Sequence, residues 1–268
     1  LFGVKFKGNN GKLPISIKGS NLTKPINYNE NLGSAQCKSA IMIAALKTSG
    51  ITKIKSLPSR NHTEILFKNV LNVPIKVYKK KKYDFIEIKG KNEIRPFEYK
   101  IPGDISSAAF FIVLTILSKN SQLILKNINI NPSRVGVIKI LKRMGANIKF
   151  LNKKNYKGEI NGDIFVRSTQ KLKAIKLDPL LNTSAIDEFL LIFLVASRCK
   201  GVSKFVNLSE LNKKESKRLD WGIKILKMMN VKVVKIKNHG IKIWGNKNFP
   251  TKKNYIIKNF LKDHRVFM

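Results

Sequence analysis

The sequence predicts an α/β protein assembled from repeated β-α-β-α-β-β units, and three observations carry that expectation. Apolar helix candidates begin near Ser34, Ser106 and Ser184, 72 and 78 residues apart. Each is followed by a stretch rich in β-branched residues, over 51–57, 122–128 and 202–208. An amphipathic helix comes next in every copy, and the three copies close on similar phrases: Val70-Leu71-Asn72-Val73, Met144-Gly145-Ala146-Asn147 and Met229-Asn230-Val231-Lys232.

Taken in order, the first helices are apolar on all sides and read as buried. Ser34, Ser106 and Ser184 suit their N-caps, because a hydroxyl there accepts from a free backbone N–H. The second helices are expected over 62–71, 134–144 and 217–229, each preceding two short strands such as 231–236 and 240–244. The phrase Phe2-Gly3-Val4-Lys5-Phe6 reads like the close of a unit, and Asp263-His264-Arg265-Val266-Phe267-Met268 like the opening of another first helix. A chain that starts and stops inside a unit is expected to be truncated. Pro102-Gly103 marks a turn and suggests a boundary between a domain over 1–102 and a second over 103–268.

Bulk properties narrow the function classes. The longest apolar runs, 108–117 and 189–196, fall short of the roughly 20 residues that span a bilayer. No signal-peptide layout opens the chain, so a cytoplasmic protein without membrane association is expected. Cys37 and Cys199 read as two buried thiols in helical segments rather than a disulfide. The formal charge of +37 raises nucleic-acid binding as a class. Yet the lysines are spread along the chain, mostly singly, without interleaved aromatic platforms. No nucleic-acid partner is expected, and the excess reads as a surface bias that would help gather small polyanions.

Polar residues collect where helices begin, and backbone N–H groups at such ends favour anions. Ser34, Gln36 and the Lys38 cation share one such end. Asp187 and Glu188 stand at the head of the third apolar helix, either as first-turn acids or as a shielded general base. In Lys213-Lys214-Glu215-Ser216-Lys217-Arg218, the i,i+3 pair Glu215/Arg218 reads as a solvated helical face. Arg60, after Pro58-Ser59, suits bidentate capture of phosphate or carboxylate. His62 and His239 read as helix-start and turn residues.

Several phrases together resemble the 5-enolpyruvylshikimate-3-phosphate synthase family: Ser34-Ala35-Gln36-Cys37-Lys38-Ser39-Ala40, Pro58-Ser59-Arg60-Asn61-His62-Thr63-Glu64 and Ile101-Pro102-Gly103-Asp104-Ile105-Ser106-Ser107-Ala108. Asn131-Pro132-Ser133-Arg134, Ile186-Asp187-Glu188, the run from Glu210 to Arg218 and Asp263-His264-Arg265 follow in the family's order over nearly the whole chain. The resemblance implies the enolpyruvyl transferase fold, a two-domain inside-out α/β prism. It further implies that the enolpyruvyl group of phosphoenolpyruvate moves to the 5-hydroxyl of shikimate 3-phosphate, in the shikimate pathway of aromatic amino acid biosynthesis. Ser34, Ala35 and Gln36 match the segment that holds shikimate 3-phosphate, and Arg60 a substrate-phosphate contact. Asp187 matches the carboxylate that takes the hydroxyl proton, while Lys214 and Glu215 match the pair beside the reacting centre. Arg218, His264 and Arg265 match the phosphoenolpyruvate-binding group, and Glu210 is counted with the substrate-binding residues. No metal and no organic cofactor are implied, and a monomer is expected.

Departures qualify this picture. Lys217 stands where the family usually has an acid and Lys213 where it often has Val, which is expected to leave Arg218 without an orienting neighbour. The family's N-terminal lysine-bearing segment and C-terminal lysine are not in the sequence, so the isolated chain is expected to be inactive. Three other readings compete: a UDP-amino-sugar enolpyruvyl transferase, which would want a reactive loop cysteine; a basic nucleic-acid-binding protein; and a decayed, non-catalytic relative.

Overall fold

The computed structural model describes residues 1–10, 12–90, 93–246 and 263–267, in two compact units: Leu1–Lys100 with Lys157–Glu159, and Ile101–Tyr156 with Ile160–Met268.

Unit 1 opens with an antiparallel pair, β1 (Lys5–Asn9) and β2 (Lys12–Lys18). One repeat follows: β3 (Asn27–Glu30), α1 (Ala35–Leu46), β4 (Ile51–Ser56), α2 (His62–Asn69), β5 (Ile75–Lys80) and β6 (Tyr83–Lys89). The sheet order is β3-β4-β6-β5, with β3 parallel to β4 and the other pairs antiparallel. Such a parallel pair needs a crossover, and α1 supplies it. Met42, Ala45 and Leu46 of α1 pack with Ile54, Phe67, Ile86 and Ile88 into the core of this unit.

Unit 2 repeats the pattern twice. The first copy has α3 (Ile105–Leu117), β7 (Gln122–Asn129), α4 (Gly136–Arg143), β8 (Asn147–Tyr156) and β9 (Glu159–Arg167), with sheet order β7-β9-β8. The second has α5 (Phe189–Ser197), β10 (Gly201–Phe205), α6 (Arg218–Met228), β11 (Val233–Ile236) and β12 (Gly240–Gly245), ordered β10-β12-β11. In place of a first strand, each copy has only isolated parallel bridges, Gly103 with Ile128 and Lys173 with Lys200. The short helix α7 (His264–Phe267) begins where the sequence suggests a further first helix; Met268 lies outside the described residues. Among the described residues no helix is long and apolar enough to cross a membrane.

The closing phrases have one physical function. Asn72, Gly145 and Asn230 all take positive φ, at 52°, 95° and 58°, just past the second helix of each copy. Ala146 and Val231 then send their N–H back to the carbonyls of Leu141 and Leu226, capping open carbonyls in the Schellman manner, whereas after Asn72 the Val73 N–H reaches one residue further back, to the Phe67 carbonyl at 2.9 Å. Asparagine can replace glycine here because its short polar side chain tolerates the left-handed region.

The core of unit 2 is the larger one, centred on α5. Phe189, Ile192, Phe193, Val195 and Ala196 are buried all round that helix. Phe189, Phe193 and Phe205 meet with ring centroids 5.5 to 6.1 Å apart, in tilted and edge-on arrangements. Gly136 permits a close approach: a Cβ there would stand 2.3 Å from the Ser184 hydroxyl oxygen.

Several local expectations change. Asp104, not Ser106, caps α3, accepting from the Ser107 N–H at 3.2 Å. Ser184 sits in a 3-10 turn (Thr183–Ala185), and its hydroxyl donates to the Leu181 carbonyl at 3.0 Å. Because that turn takes up the chain, α5 begins only at Phe189, leaving Asp187 in a turn and Glu188 at the N-cap position instead of in the first turn. Cys37 lies on an exposed face of α1, whereas Cys199 is buried just beyond α5.

Candidate functional site

In unit 1 the predicted residues gather around the start of α1. Buried Glu30 accepts from the Leu32 N–H at 2.9 Å and the Gly33 N–H at 2.8 Å, and Gly33 takes φ +70°, so the chain can bend into the helix. Ser34 is the N-cap and accepts from the Cys37 N–H at 3.3 Å. Ala35 and Gln36 open the first turn, Gln36 with its side chain exposed. Lys38 differs from expectation. It is fully buried, its Nζ 2.6 Å from Glu64 Oε1 of α2 and 2.9 Å from the Arg60 carbonyl, to which it donates. Its charge is thus answered inside the unit, and it braces the half-buried Arg60 instead of offering a cation at the surface.

In unit 2 the predicted residues converge on one guanidinium. Arg218, at the first position of α6, is 2% exposed. Its Nε donates to Asp263 Oδ2 at 2.9 Å, its Nη1 to Asp187 Oδ1 at 3.1 Å, and its Nη2 to Glu215 Oε2 and to Asp263 Oδ1 at 3.3 Å. The planar fork reaches three carboxylates at once because it carries five N–H donors in a fixed plane. Burial works against the charge of Arg218, yet Asp263, Glu215 and Asp187 outweigh it and raise its affinity for the proton. For Asp263 burial opposes ionisation, but Arg218, Ser216 and the Arg265 N–H prevail and hold its carboxyl below the ordinary range.

This arrangement reverses two expectations. Arg218 does not lack an orienting neighbour, because Asp263 grips it from the other end of the unit's sequence. Nor is the segment from Lys213 to Arg218 a solvated helical face. A 3-10 turn (Ser209–Lys213) precedes it, and Arg218 points inward while Glu215 remains 64% exposed.

Around this centre Lys214 Nζ stands 3.9 Å from Asp187 Oδ1 and 3.2 Å from Glu210 Oε1. Arg265 Nη1 donates to the Asp187 carbonyl at 3.4 Å and lies 3.9 Å from Glu188 Oε1. His264 is exposed and makes no hydrogen bond within this group. Chemically, Asp187 is a largely shielded carboxylate flanked by two cations, while Glu215 and Lys214 reach solvent and could exchange protons. Among the described residues no group of three or more His, Cys, Asp or Glu side chains is placed to hold a metal ion.

Sequence reasoning left Glu64, Asp263 and Arg134 without roles. Asp263 had a visible signal, since it heads the Asp-His-Arg triplet. The pairing of Glu64 with Lys38 had none, because it depends on how α1 and α2 pack. Neither thiol resembles a reactive loop cysteine, one being on a helix and the other wholly buried.

Comparison with known proteins follows from this geometry. Residues 2–268 match the profile of the EPSP synthase (3-phosphoshikimate 1-carboxyvinyltransferase) family. A 3-phosphoshikimate 1-carboxyvinyltransferase of Ruthia magnifica is 39% identical, over 99% of this chain and 59% of its own length. One from Caldicellulosiruptor bescii is 38% identical, over 96% of this chain and 58% of its own length. The chain therefore spans less than two thirds of the relatives it matches. Among solved structures, EPSP synthase from Acinetobacter baumannii superposes with a TM-score of 0.78 at 32% identity, over 92% of this chain and 55% of that one. An enolpyruvyl transferase from Streptomyces tendae, at 13% identity over 91% of this chain and 56% of its own, has a TM-score of 0.62 and shares the fold.

Proposed function

The chain belongs to the EPSP synthase family, and on that premise we propose that the protein transfers the enolpyruvyl group of phosphoenolpyruvate to the 5-hydroxyl of shikimate 3-phosphate and releases phosphate. The observation that carries the reading is Asp187, held between Arg218 and Lys214 with its oxygen 3.1 Å from Nη1 of one and 3.9 Å from Nζ of the other.

In this reading residues 1–102 bind shikimate 3-phosphate through Ser34, Ala35, Gln36 and Arg60, and residues 103–268 supply the acid and base. Asp187 takes the proton of the 5-hydroxyl as its oxygen bonds to C2 of phosphoenolpyruvate. Glu215, assisted by Lys214, gives a proton to the methylene carbon, which becomes a methyl group. On breakdown of the tetrahedral adduct that methyl group loses a proton, the C2–O bond to phosphate breaks, and the double bond re-forms. Arg218 and Arg265, with His264, meet the anionic carboxylate and phosphate of the same substrate, and fixed cations of this kind stabilise charge where it develops. Glu210 holds Lys214 from the outer side, at 3.2 Å. Monomeric, cytoplasmic residence belongs to the same reading, and Cys37 and Cys199, which are not joined in a disulfide, are compatible with a reducing compartment.

The test is a chimera in which this chain replaces the matching stretch of the Ruthia magnifica relative. Phosphate release that requires both substrates is expected. A folded chimera that binds neither substrate, beside an active parent, would overturn the reading.

A further inference from the structure

Behind Asp187 runs a buried relay that the reaction just described does not use. Ser106, in the first turn of α3, is 1% exposed, and Glu188 is 2% exposed. The Ser106 hydroxyl accepts from Arg134 Nη2 at 2.7 Å and donates to Glu188 Oε1 at 2.5 Å. A guanidinium can only donate, so the hydroxyl's own proton is committed to the carboxylate. The same Glu188 oxygen lies 3.9 Å from Arg265 Nη1, the atom that also reaches the Asp187 carbonyl at 3.4 Å. Arg134 is fixed in turn by Asp104 Oδ1 at 2.8 Å. Segments around Ser106, Arg134, Glu188 and Arg265, distant in sequence, are thus linked through the Ser106 hydroxyl and one carboxylate oxygen.

The geometry points to Ser106 and Glu188 as positioning residues that set the Arg265 guanidinium beside Asp187. This rests on the reading of Arg265 as a phosphoenolpyruvate contact and adds to it what holds that contact in place. An apolar or amide side chain would fill the same space at less cost, because burying a carboxylate is expensive unless it is paired. Burial, reinforced by the neighbouring Asp187 charge, pushes the Glu188 carboxyl up, and the Ser106 hydroxyl, Arg134 and Arg265 offset only part of that rise. The arrangement sets the Glu188 side chain against Arg265, at the second position of α7.

The test reads Arg265 directly. In the 268-residue chain labelled with nitrogen-15, its side-chain signal is assigned through Arg265→Lys, and rotation about its guanidinium bond is followed by exchange of the Hη protons. Ser106→Ala and Glu188→Gln are expected to speed that rotation about tenfold, the scale of one lost charge-assisted contact. Ser106→Thr, which keeps the hydroxyl, should restore the slow rate. In the chimera the same two variants should raise KM for phosphoenolpyruvate about tenfold and leave that for shikimate 3-phosphate within about twofold. If Glu188→Gln fails to fold, Ser106→Ala carries the measurement. Unchanged Arg265 rotation in a folded Ser106→Ala variant overturns the inference. A chimera without turnover would instead remove the functional reading, and the rotation rates would still decide whether the relay holds Arg265.

Discussion

Unit 1 buries the Lys38 ammonium against one carboxylate, and unit 2 buries the Arg218 guanidinium among three. The first arrangement is closed. Glu64 answers Lys38 at 2.6 Å, the Arg60 carbonyl accepts a further hydrogen bond from it, and both side chains are almost wholly out of solvent. The second is open on one side. Asp263 is as buried as Arg218, but Asp187 is 11% exposed and Glu215 64%. A neutralised pair with no exposed member can only hold two helices together. A guanidinium that carries a buried acid, a largely shielded one and an exposed one can exchange the exposed partner for an anion arriving from solvent. The contrast separates a brace from a candidate reaction centre by geometry alone.

The largest expected effect tests the closed pair. Lys38→Met leaves the Glu64 charge buried without its partner and should destabilise the chain by about 3–5 kcal/mol. Lys38→Met combined with Glu64→Leu should recover most of that loss, because Glu64 Oε2 already lacks a hydrogen-bond partner. Urea unfolding of the two variants measures both. A double variant no better than the single one would mean that Lys38 is needed for something other than its pairing.

The open group should behave in the opposite way, with little effect on stability and a large one on turnover. Glu215→Gln touches a mostly exposed side chain and should change unfolding free energy by no more than about 0.5 kcal/mol. In the chimera it should lower kcat about a hundredfold, and Asp187→Asn at least as much, as expected for general acid and base groups. Equal losses of stability and activity in Glu215→Gln would erase the distinction between the two units.

Both buried cations show what one sequence can and cannot disclose. The helices, the three repeats and the left-handed residues after α2, α4 and α6 are local, written in periodicity and in Asn72, Gly145 and Asn230. Apolar pattern also marks α5 as a central helix. Where α5 begins is less legible, because Asp187 and Glu188 fit a helical first turn equally well until the 3-10 turn before them is known. Lys38 in a helix start resembles an anion site, and only the packing of α1 on α2 turns it into a brace. Arg218 resembles a residue on a basic surface loop, since its principal partner, Asp263, follows 45 positions later. Pairings of that range leave no periodic trace.

Lys217, expected to stand where the family usually has an acid, tests whether the open group tolerates a further charge. It occupies the N-cap of α6 with no side-chain hydrogen bond to the helix. A cation there opposes the helix dipole and leaves the first N–H groups without a side-chain acceptor. Lys217→Asp should therefore stabilise the chain by about 1 kcal/mol, measured by the shift in urea midpoint. A loss of stability would mean that the added carboxylate competes with Glu215 and Asp263 for Arg218.

The smallest effect lies outside both cation sites and sharpens the comparison by contrast. Asp163 is held by the Asn127 N–H at 2.9 Å, the Asn152 amide at 2.8 Å and Lys126 Nζ at 3.0 Å. These donors, the Asn127 N–H foremost, lower its carboxyl from an ordinary 3.8 to about 2. A carboxylate with a depressed folded value adds stability that is fully present above the unfolded value and fades as the pH falls through the folded one. Its contribution should therefore be constant above about pH 4 and disappear toward about pH 2. Asp163→Asn should flatten the acid limb of the stability curve in that window and leave turnover of the chimera unchanged. An acid limb that stays the same in Asp163→Asn would mean that these donors do not set the acid sensitivity of the chain.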